Sequence, residues 1–397
     1  MLIFRLISRS GGRSAVFVAA ALATVAFAAC GGGGDDEAGG EKQGADTVRI
    51  GVLLPYTGPF GLYGKPMEAT LRARLAKAGN KVDGRRVQLV FEDEATDAKT
   101  AVSKATKLIE QNDVDAIVCC PTGAATLAVG PIANQAKIPQ IGPIPNPAGL
   151  SKFSTAAVAA PTAAHDAEVL GGYAATKLGY KSAAVIASDF AYGKEVAAGF
   201  AKGFKGAGGT IAKQTFAPLG TTDFGSYLAR GGNADVTFAG FAGEDAIRFV
   251  QQYKKFGAKA PLIGHGPLLT ELVLKAIGEA AVGVGAGFYY SSQLDNPANK
   301  EFIDTMKGAN SKFVPSHFTA GAWATGSLII DAIKRAGDDV HDGEAFAKTI
   351  RATQIEAPWG PLRFDQKTGY AVAPTYFYTV TKDGGQLHHQ IKEEISL

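Results

Sequence analysis

The feature that most constrains the fold is a steady alternation of short apolar runs with amphipathic helical segments, which begins at residue 47. Continuous apolar runs between helices are typical of parallel strands in a sheet that is covered on both faces. The first four predicted strands are TVRIGVLL, RRVQLVFED, VDAIVCC and PQIGPI. Helices are predicted near 66–79, 97–112 and 123–136. This pattern predicts an α/β fold built on a parallel sheet.

The same alternation then starts again, which indicates a second unit of similar size. Its predicted strands are SAAVIAS, TIAKQTF, ADVTFAGF and APLIGHG. Its predicted helices lie near 165–178, 193–206, 223–230 and 244–256. A third block follows, with VGVGAGFYY, helices near 298–308 and 317–336, and the strand-like APTYFYTVTKDGGQL. We therefore expect two lobes and a last segment that returns to complete both.

The N-terminus has the features of an export signal. Arg5, Arg9 and Arg13 form a basic start, and the apolar run of residues 15–29 is short for a membrane span. The run leads into Phe-Ala-Ala-Cys, which ends at Cys30 and resembles the lipobox at which bacterial lipoproteins are cleaved and lipidated. We expect lipidation at this cysteine. Ordinary cleavage after a small residue, which would release a soluble protein, is the alternative.

The segment after the expected signal peptide (residues 1–29) has a composition that cannot form a core. Residues 30–46 read CGGGGDDEAGGEKQGAD and are predicted to be a flexible tether. The signal holds three of the 40 Lys and Arg residues and none of the 37 Asp and Glu residues, which leaves 37 of each. A formal net charge near zero gives no electrostatic basis for binding nucleic acid. No later apolar run is long enough to cross a bilayer.

The two remaining cysteines, Cys119 and Cys120, are adjacent and lie at the end of an apolar strand. An exported protein meets oxidising conditions, so a disulfide between them is chemically accessible. Two buried free thiols are the simpler interpretation, because a disulfide between neighbours closes a strained ring. Both interpretations stay open from the sequence.

Motifs for catalysis and for cofactors are missing from the sequence. The loop IGVLLPYTGPFGLYGKP resembles a phosphate-binding loop, but Pro59 and Pro66 stand where that loop needs a glycine and a hydroxyl. No nucleophile elbow occurs, and the six histidines are scattered. The run FEDEATD is typical of a strand end before a helix N-terminus, with Asp97 near the cap. His265 has no obvious nucleophile beside it. We therefore expect no enzyme, no cofactor and no metal.

Six segments, taken together and in order, resemble one known family over roughly residues 47–392. They are IGVLLPYTGPFGLYGKP, VQLVFEDEATDAKTAV, DAIVCCPTGAATLAVGPIANQAKIPQIGP, SDFAYGKEVAAGF, ADVTFAGFAGEDAIRFVQQYKKFG and GPLRFDQKTGY. The family comprises the extracytoplasmic solute-binding proteins of ABC importers, of the branched-chain amino acid type. The resemblance implies a type I periplasmic-binding-protein fold, in which two Rossmann-like lobes with parallel sheets are joined by three crossovers and close on a ligand like a hinged trap.

By this resemblance the crossovers fall near residues 160, 290 and 362. Lobe one is then expected to comprise 47–160 with 290–361, and lobe two 161–289 with 362–397. The resemblance further implies a monomer that is exported and lipid-anchored on the outer face of the cell membrane or in the periplasm. Its partners would be the permease and ATPase subunits of the importer. The alternative is a ligand sensor for a signalling partner.

The family's ligand positions map onto loops that follow the predicted strands. In open parallel sheets ligands bind beyond the carboxyl ends of the strands, where these loops lie. The resemblance places lobe one's ligand contacts at Tyr63, Thr122, Gly123, Ala124, Ile144 and Asn146. In lobe two it places them at Tyr192 and at Phe241 or Ala242, and the neighbouring Phe190 and His265 are expected to contact the ligand as well.

One departure from the family pattern bears on the ligand. The family's acidic partner for a ligand ammonium falls at about Gly266, which has no side chain. A buried ammonium needs a carboxylate or several acceptors, and the nearby Glu244, Asp245 and Asp189 sit at strand ends or helix starts. The expected ligand is therefore either a small amino acid or an apolar or aromatic carboxylic acid. Thr122, Asn146 and His265 would bind the carboxylate.

Overall fold

The computed structural model describes residues 47–229 and 232–395. The expected signal peptide, the tether and Cys30 lie outside the described residues. The described strands are β1 (Thr47–Leu54), β2 (Lys81–Val82), β3 (Arg85–Asp93), β4 (Ala116–Val118), β5 (Gln140–Gly142), β6 (Ala156–Val158), β7 (Ser182–Ser188), β8 (Thr210–Ala217), β9 (Val236–Gly240), β10 (Leu262–His265), β11 (Gly285–Phe288), β12 (Ile355–Ala357), β13 (Gly360–Phe364), β14 (Ala371–Val372), β15 (Thr375–Asp383) and β16 (Gln386–Ile395). The described helices are α1 (Gly61–Lys77), α2 (Ala98–Glu110), α3 (Gly123–Gln135), α4 (Ala163–Thr176), α5 (Ala191–Gly206), α6 (Gly225–Ala229), α7 (Gly243–Lys255), α8 (Glu271–Ile277), α9 (Pro297–Ala309), α10 (His317–Ala336) and α11 (Gly343–Ala352).

The first sheet has the strand order β2-β3-β1-β4-β5-β6. Its strands are parallel except for the short β2, which runs antiparallel to β3. Successive side chains of a strand point to opposite faces, and both faces of β1 are buried here. Ile50 and Val52 belong to the main hydrophobic core, while Leu53 belongs to a second core with Ala101 and Leu108 of α2. This burial explains the continuous apolar run of β1, and it confirms the predicted parallel sheet.

The second sheet has the order β16-β15-β11-β10-β9-β7-β8. The strands from β11 to β8 are parallel, and β15 and β16 add an antiparallel edge. Helices α4 and α5 pack closely because Gly171, Gly199 and Gly203 leave room for the opposite backbone, which a side chain would overlap. The predicted second parallel unit is therefore confirmed, and the closing segment forms its edge.

The third block of the sequence contributes to both lobes. Helix α10 packs against α1, and α11 packs against β6 and β13. Strands β12, β13 and β14 form a small sheet beside them, and Tyr370 makes a bridge to Val158 of β6. Because β13 contacts α11 and β15 belongs to the second sheet, we propose that the third crossover lies between Val372 and Thr375, whereas the sequence placed it near residue 362. We propose lobe one as 47–160 with 290–372, and lobe two as 161–289 with 373–395.

Within the ranges 47–229 and 232–395, the helices are too short or too polar for any of them to cross a bilayer.

Candidate ligand-binding cleft

A cavity lies between the two lobes, where strands of both sheets end and helices begin. The cavity is narrow, since the space open to the centre of a water-sized molecule is about 40 Å³. Lobe one contributes Phe60, Pro121, Thr122, Gly123, Ile144, Pro145, Pro147, His317 and Phe318 to the lining. Lobe two contributes Ala163, Phe190, Tyr192, Glu195, Ala242, His265, Pro267 and Phe288.

Most of the residues expected to contact a ligand lie at this cavity. They are Thr122, Gly123, Ile144, Phe190, Tyr192, Ala242 and His265. They come from both lobes and from several loops, so the topology brings together positions that are far apart in the chain. Their role in binding stays a prediction.

Tyr63 was expected to face the ligand, and the structure places it elsewhere. Its side chain is fully buried and its ring stacks on Phe318, with 3.6 Å between ring centroids. Its hydroxyl accepts a hydrogen bond of 3.0 Å from the backbone N–H of Gly243, which belongs to lobe two. Tyr63 therefore links the lobes beside the cavity and does not line it.

Three further expected positions also lie off the cavity. Asn146 is buried and turns back on its own loop, where its amide nitrogen donates to the carbonyl of Ile144 at 2.7 Å. Phe241 points into the core of lobe two and packs on Phe249 at 4.6 Å, since the next residue, Ala242, faces the cleft instead. Ala124 is exposed on α3. Asn146 therefore does not line the cavity, and its contact with a carboxylate stays a prediction.

Several lining residues were not expected from the sequence. His317 and Phe318 open α10, which the chain reaches only in its third block. Glu195 lies in the second turn of α5. It is therefore beyond the loop after β7, where the sequence predicts ligand contacts. The Ser316 capping box marks the start of α10 in the sequence, but nothing local indicates that this start faces the cleft.

Helix N-termini converge on the cavity from both lobes. The lining includes the N-cap residues of α1, α3, α5 and α7 and the first residues of α4 and α10, namely Phe60, Thr122, Phe190, Ala242, Ala163 and His317. Among these described helices, α1, α3, α5 and α7 have no side-chain cap, and α1, α3, α5 and α10 carry no acid in the first turn. Their backbone N–H groups and dipoles therefore make the cavity favourable for an anion.

Two neutral imidazoles add polar atoms to the aromatic lining. His265 is fully buried, and burial lowers its pKa to about 3. Its Nδ1 lies 2.9 Å from the hydroxyl of Tyr192. Burial likewise lowers the pKa of His317 well below its usual range. The Nε2 atoms of both rings are buried and have no hydrogen-bond partner among the described residues.

The space near Gly266 is filled by an aromatic ring. A side chain at position 266 would overlap the ring of Phe288. That ring stands edge-on to His265 and to His317, with 4.8 Å between centroids in each pair. An acidic partner for a ligand ammonium is therefore excluded at this position by packing as well as by the glycine itself.

Three carboxyl groups surround the site. Glu94 and Asp166 are buried and Glu195 is half-buried, and desolvation raises the pKa of each. Glu195 lines the cavity, and burial raises its pKa to about 7. Glu94 accepts from the hydroxyl of Thr122 at 3.3 Å, and burial raises its pKa to about 8. Asp166 lies behind the lining, 3.9 Å from Nε2 of His265, and burial raises its pKa to about 8. At neutral pH the last two are largely protonated.

The adjacent cysteines lie next to the cavity. Cys119 and Cys120 are joined by a disulfide and are fully buried, directly before the lining residues Pro121 and Thr122. Across 47–229 and 232–395, His, Cys, Asp and Glu side chains form no group of three or more that could hold a metal ion.

The periplasmic binding protein family model matches residues 47–386, which cover every lining residue of the cavity and both sheets except for nearly all of β16. The chain belongs to this family. Its members bind solutes and are not enzymes, and they act outside the cytoplasm.

Individual relatives indicate which type of periplasmic binding protein the chain is similar to. The Leu/Ile/Val-binding protein homolog 6 of Brucella melitensis is 27% identical over 360 residues, 88% of this chain and 92% of that protein. An ABC transporter substrate-binding protein of Sphaerobacter thermophilus is 30% identical, with a TM-score of 0.82 over 88% of this chain and 98% of that one. A solute-binding protein of an R. palustris ABC transporter, solved in complex with 4-hydroxybenzoate, is 26% identical, with a TM-score of 0.83 over 88% and 97%.

These similarities confirm the expected family in its branched-chain amino acid type. The protein is an ABC transporter substrate-binding protein that takes a small-molecule ligand and works with a permease. Transport is therefore favoured over the signalling alternative.

Proposed function

We propose that this periplasmic binding protein captures a small carboxylic acid with a flat, apolar body, of the benzoate type, and delivers it to its permease. The observation that carries the proposal is the convergence of helix N-termini on an aromatic cavity without an acid at position 266. Helix N-termini favour the carboxylate, and the aromatic rings favour an apolar ring.

The walls of the cavity suit an aromatic ligand. The rings of Phe60 in lobe one and Phe190 in lobe two are tilted by 53° to each other with 6.2 Å between centroids, and Tyr192 lies 5.9 Å from Phe190. Phe288 and Phe318 line the same cavity. A ligand ring enclosed between the lobes would lose most of its contact with water, which stabilises the closed form.

The ligand's carboxylate would meet the N-terminus of α3. Gly123 begins that helix, and the hydroxyl of the N-cap Thr122 is directed to Glu94 and leaves the helix without a side-chain cap. The backbone N–H groups of the first turn are therefore suited to a carboxylate. His265 and His317 would contact a second polar group of the ligand, such as a ring hydroxyl.

A small amino acid such as leucine or valine is the second candidate. The observation in its favour is Glu195, which lines the cavity with a pKa near 7 and is therefore partly ionised at neutral pH. An ionised Glu195 would pair with a ligand ammonium. The Brucella relative is named for leucine, isoleucine and valine, and the R. palustris protein was solved with 4-hydroxybenzoate, so both classes occur among similar proteins.

We further propose that residues 1–29 direct export and that a lipid on Cys30 holds the protein at the membrane surface. Residues 30–46 would tether the lobes, which work as a monomer with the permease and ATPase of the importer. Cleavage without lipidation, which would leave the protein soluble, is the alternative outcome.

A thermal-shift screen of the purified protein tests the ligand class. The panel holds leucine, isoleucine, valine, phenylalanine, benzoate, hydroxybenzoates, coumarate and short amides. A compound that binds only the folded protein raises the melting temperature by mass action. A shift with acids that lack an amino group supports the proposal. A shift with leucine or valine alone overturns it in favour of the second candidate.

A further inference from the structure

Glu195 makes a hydrogen bond across the cleft. It lies on α5 in lobe two, and its Oε1 accepts from the backbone N–H of Ala148 in lobe one at 3.0 Å. Ala148 begins the short 3-10 turn that follows β5, directly after the lining residue Pro147. The backbone N–H of Ala164, at the start of α4, also interacts with the same carboxyl group.

Both ends of this bond are held by their own lobe. The carbonyl of Pro147 accepts from the hydroxyl of Tyr370, which fixes the loop in lobe one. Helix α5 is packed tightly on α4, so Glu195 and Ala164 keep their positions in lobe two. A rotation that opens the cleft would therefore separate Glu195 from Ala148 and leave the contact to Ala164 in place.

We propose that Glu195 is a proton-dependent latch: its carboxyl group holds the closed form by binding Ala148 across the cleft, and closing the lobes takes up a proton at this group. It would act as a positioning residue for closure, whichever solute is bound.

The charged groups that surround Glu195 are paired with opposite charges, and the other titratable groups are neutral. On the outer side, Glu168 of α4 pairs with Lys202 of α5 at 2.8 Å. On α5 itself, Lys194 pairs with Asp189 at 2.8 Å. From lobe one, the Tyr370 hydroxyl is the titratable group, and burial raises its pKa, with the charge of Glu195 as a smaller cause.

Three further ionisable groups lie near the latch. His165 of α4 interacts with Glu168 and Lys202, and burial lowers its pKa. Within the cavity, His265 and His317 are neutral. Glu195 is therefore the lining residue that changes charge near neutral pH.

The sign of the pH effect follows from burial. Desolvation of the half-buried Glu195 raises its pKa from 4.5 to about 7 in the closed form and outweighs the hydrogen bonds from Ala148 and Ala164, which lower it. Opening returns the group towards water and its ordinary value. The closed form therefore binds more protons between these values, and closure weakens as the pH rises from about 4.5 to about 7. For one proton the fall is at most about tenfold per pH unit, and above pH 7 closure no longer changes.

Ligand-free closure tests the latch directly. Fluorophores on cysteines placed at the exposed Lys81 of lobe one and Lys213 of lobe two report the distance between lobes by energy transfer. We expect the closed fraction of the full-length protein to fall between pH 5 and pH 7. The variant E195Q should keep the acceptor and lose the pH dependence, and E195A should close about fivefold less at pH 5. The control E168Q, outside the cavity, should behave like the parent protein.

The binding arm uses benzoate and 4-hydroxybenzoate in titration calorimetry, and only this arm rests on the proposed function. Affinity should weaken from pH 5 to pH 7 in the parent protein and stay constant in E195Q. If neither compound binds but energy transfer loses its pH dependence in E195Q, the latch stands and the proposed ligand fails. A pH dependence of closure that persists in E195Q, or an E195A variant that closes like the parent, would overturn the latch.

Discussion

The hydroxyl of Tyr63, on lobe one, accepts a hydrogen bond of 3.0 Å from the backbone N–H of Gly243, the first residue of α7 on lobe two. Glu195 and Ala148 make a second bond between the lobes at 3.0 Å. The two bonds involve different helices of lobe two. Both would be lost on opening, so each contributes to the stability of the closed form.

Replacing Tyr63 by Phe removes the bond and keeps the ring that stacks on Phe318. Because a neutral hydrogen bond contributes about 1 kcal/mol, we expect ligand affinity to fall about fivefold. Titration calorimetry with whichever compound raises the melting temperature checks this. The matched control is Tyr253→Phe, whose hydroxyl bonds Ala260 within lobe two. It should lower the melting temperature and leave affinity unchanged; an unchanged affinity in Tyr63→Phe as well would contradict this role.

His317→Phe tests the polar end of the cavity. The change keeps an aromatic ring against Phe288 and removes the buried Nε2 that has no partner among the described residues. For a hydroxybenzoate we expect about a tenfold loss of affinity, because a hydrogen bond to the ligand is lost inside a dry site. Benzoate, which lacks the ring hydroxyl, should lose much less.

Equal losses for benzoate and hydroxybenzoate would show that His317 only shapes the cavity. The control His388→Phe lies on β16, the edge strand of the second sheet, and should leave both affinities unchanged.

The fold was largely predictable because the periodicity of apolar residues in the sequence matches the pattern of buried residues in the structure. The helix predicted near 317–336 is α10, His317–Ala336, whose ends are set by the Ser316 capping box and by Gly337. The prediction for α1 was less good. Pro66 suggested a helix start near residue 66, but α1 begins at Gly61 and contains Pro66 within it. Pro66 is the sixth residue of α1, where it removes one backbone hydrogen bond of the helix without ending it, so it does not mark the boundary.

The site was predictable to the level of loops but not of side chains. The rule that ligands bind at strand ends identified the loop with Phe241 and Ala242, yet neighbouring residues point to opposite sides, and only Ala242 lines the cavity. His317 and Glu195 depend on how α10 and α5 pack against the sheets. Such long-range packing leaves no periodic signal in the sequence.

Gly266→Ala tests the packing that replaces an acidic partner. The added methyl would overlap the ring of Phe288, and overpacking of this kind costs about 1–3 kcal/mol. We expect a melting temperature lower by a few degrees and weaker ligand binding, since Phe288 lines the cavity. In the control Gly206→Ala the methyl meets nothing within 4 Å. Scanning calorimetry should show that variant unchanged or slightly stabilised; equal melting temperatures for both variants would contradict the overlap.

Cys30→Ser tests the anchor. If Cys30 carries the lipid, the variant should lose incorporation of labelled fatty acid and leave the membrane fraction, or accumulate with residues 1–29 still attached. Mass spectrometry of the N-terminus distinguishes these results. A parent protein that starts after residue 29 without a lipid would support ordinary cleavage instead.

Asp166→Asn tests a buried carboxyl group behind the site. Burial raises the pKa of Asp166 from 3.8 to about 8, and the hydroxyl of Thr375 donates to it at 2.6 Å. The folded state therefore binds a proton that the unfolded state releases, and this contribution to stability is lost as the pH rises from about 4 to about 8. Asn does not titrate, so the free energy of unfolding of the parent should fall relative to Asp166→Asn by at most about 1.4 kcal/mol per pH unit.

Urea denaturation of both proteins at pH 5, 6, 7 and 8 measures this difference. The control Asp365→Asn removes a carboxylate whose pKa is lowered by hydrogen bonds from the backbone and hydroxyl of Thr368. Because the pKa of Asp365 is lowered, this residue changes the pH dependence of stability only below about pH 4. The difference in free energy of unfolding between Asp365→Asn and the parent should therefore be constant from pH 5 to pH 8. If Asp166→Asn also differs from the parent by a constant amount between pH 5 and pH 8, Asp166 does not carry the proton in the folded state.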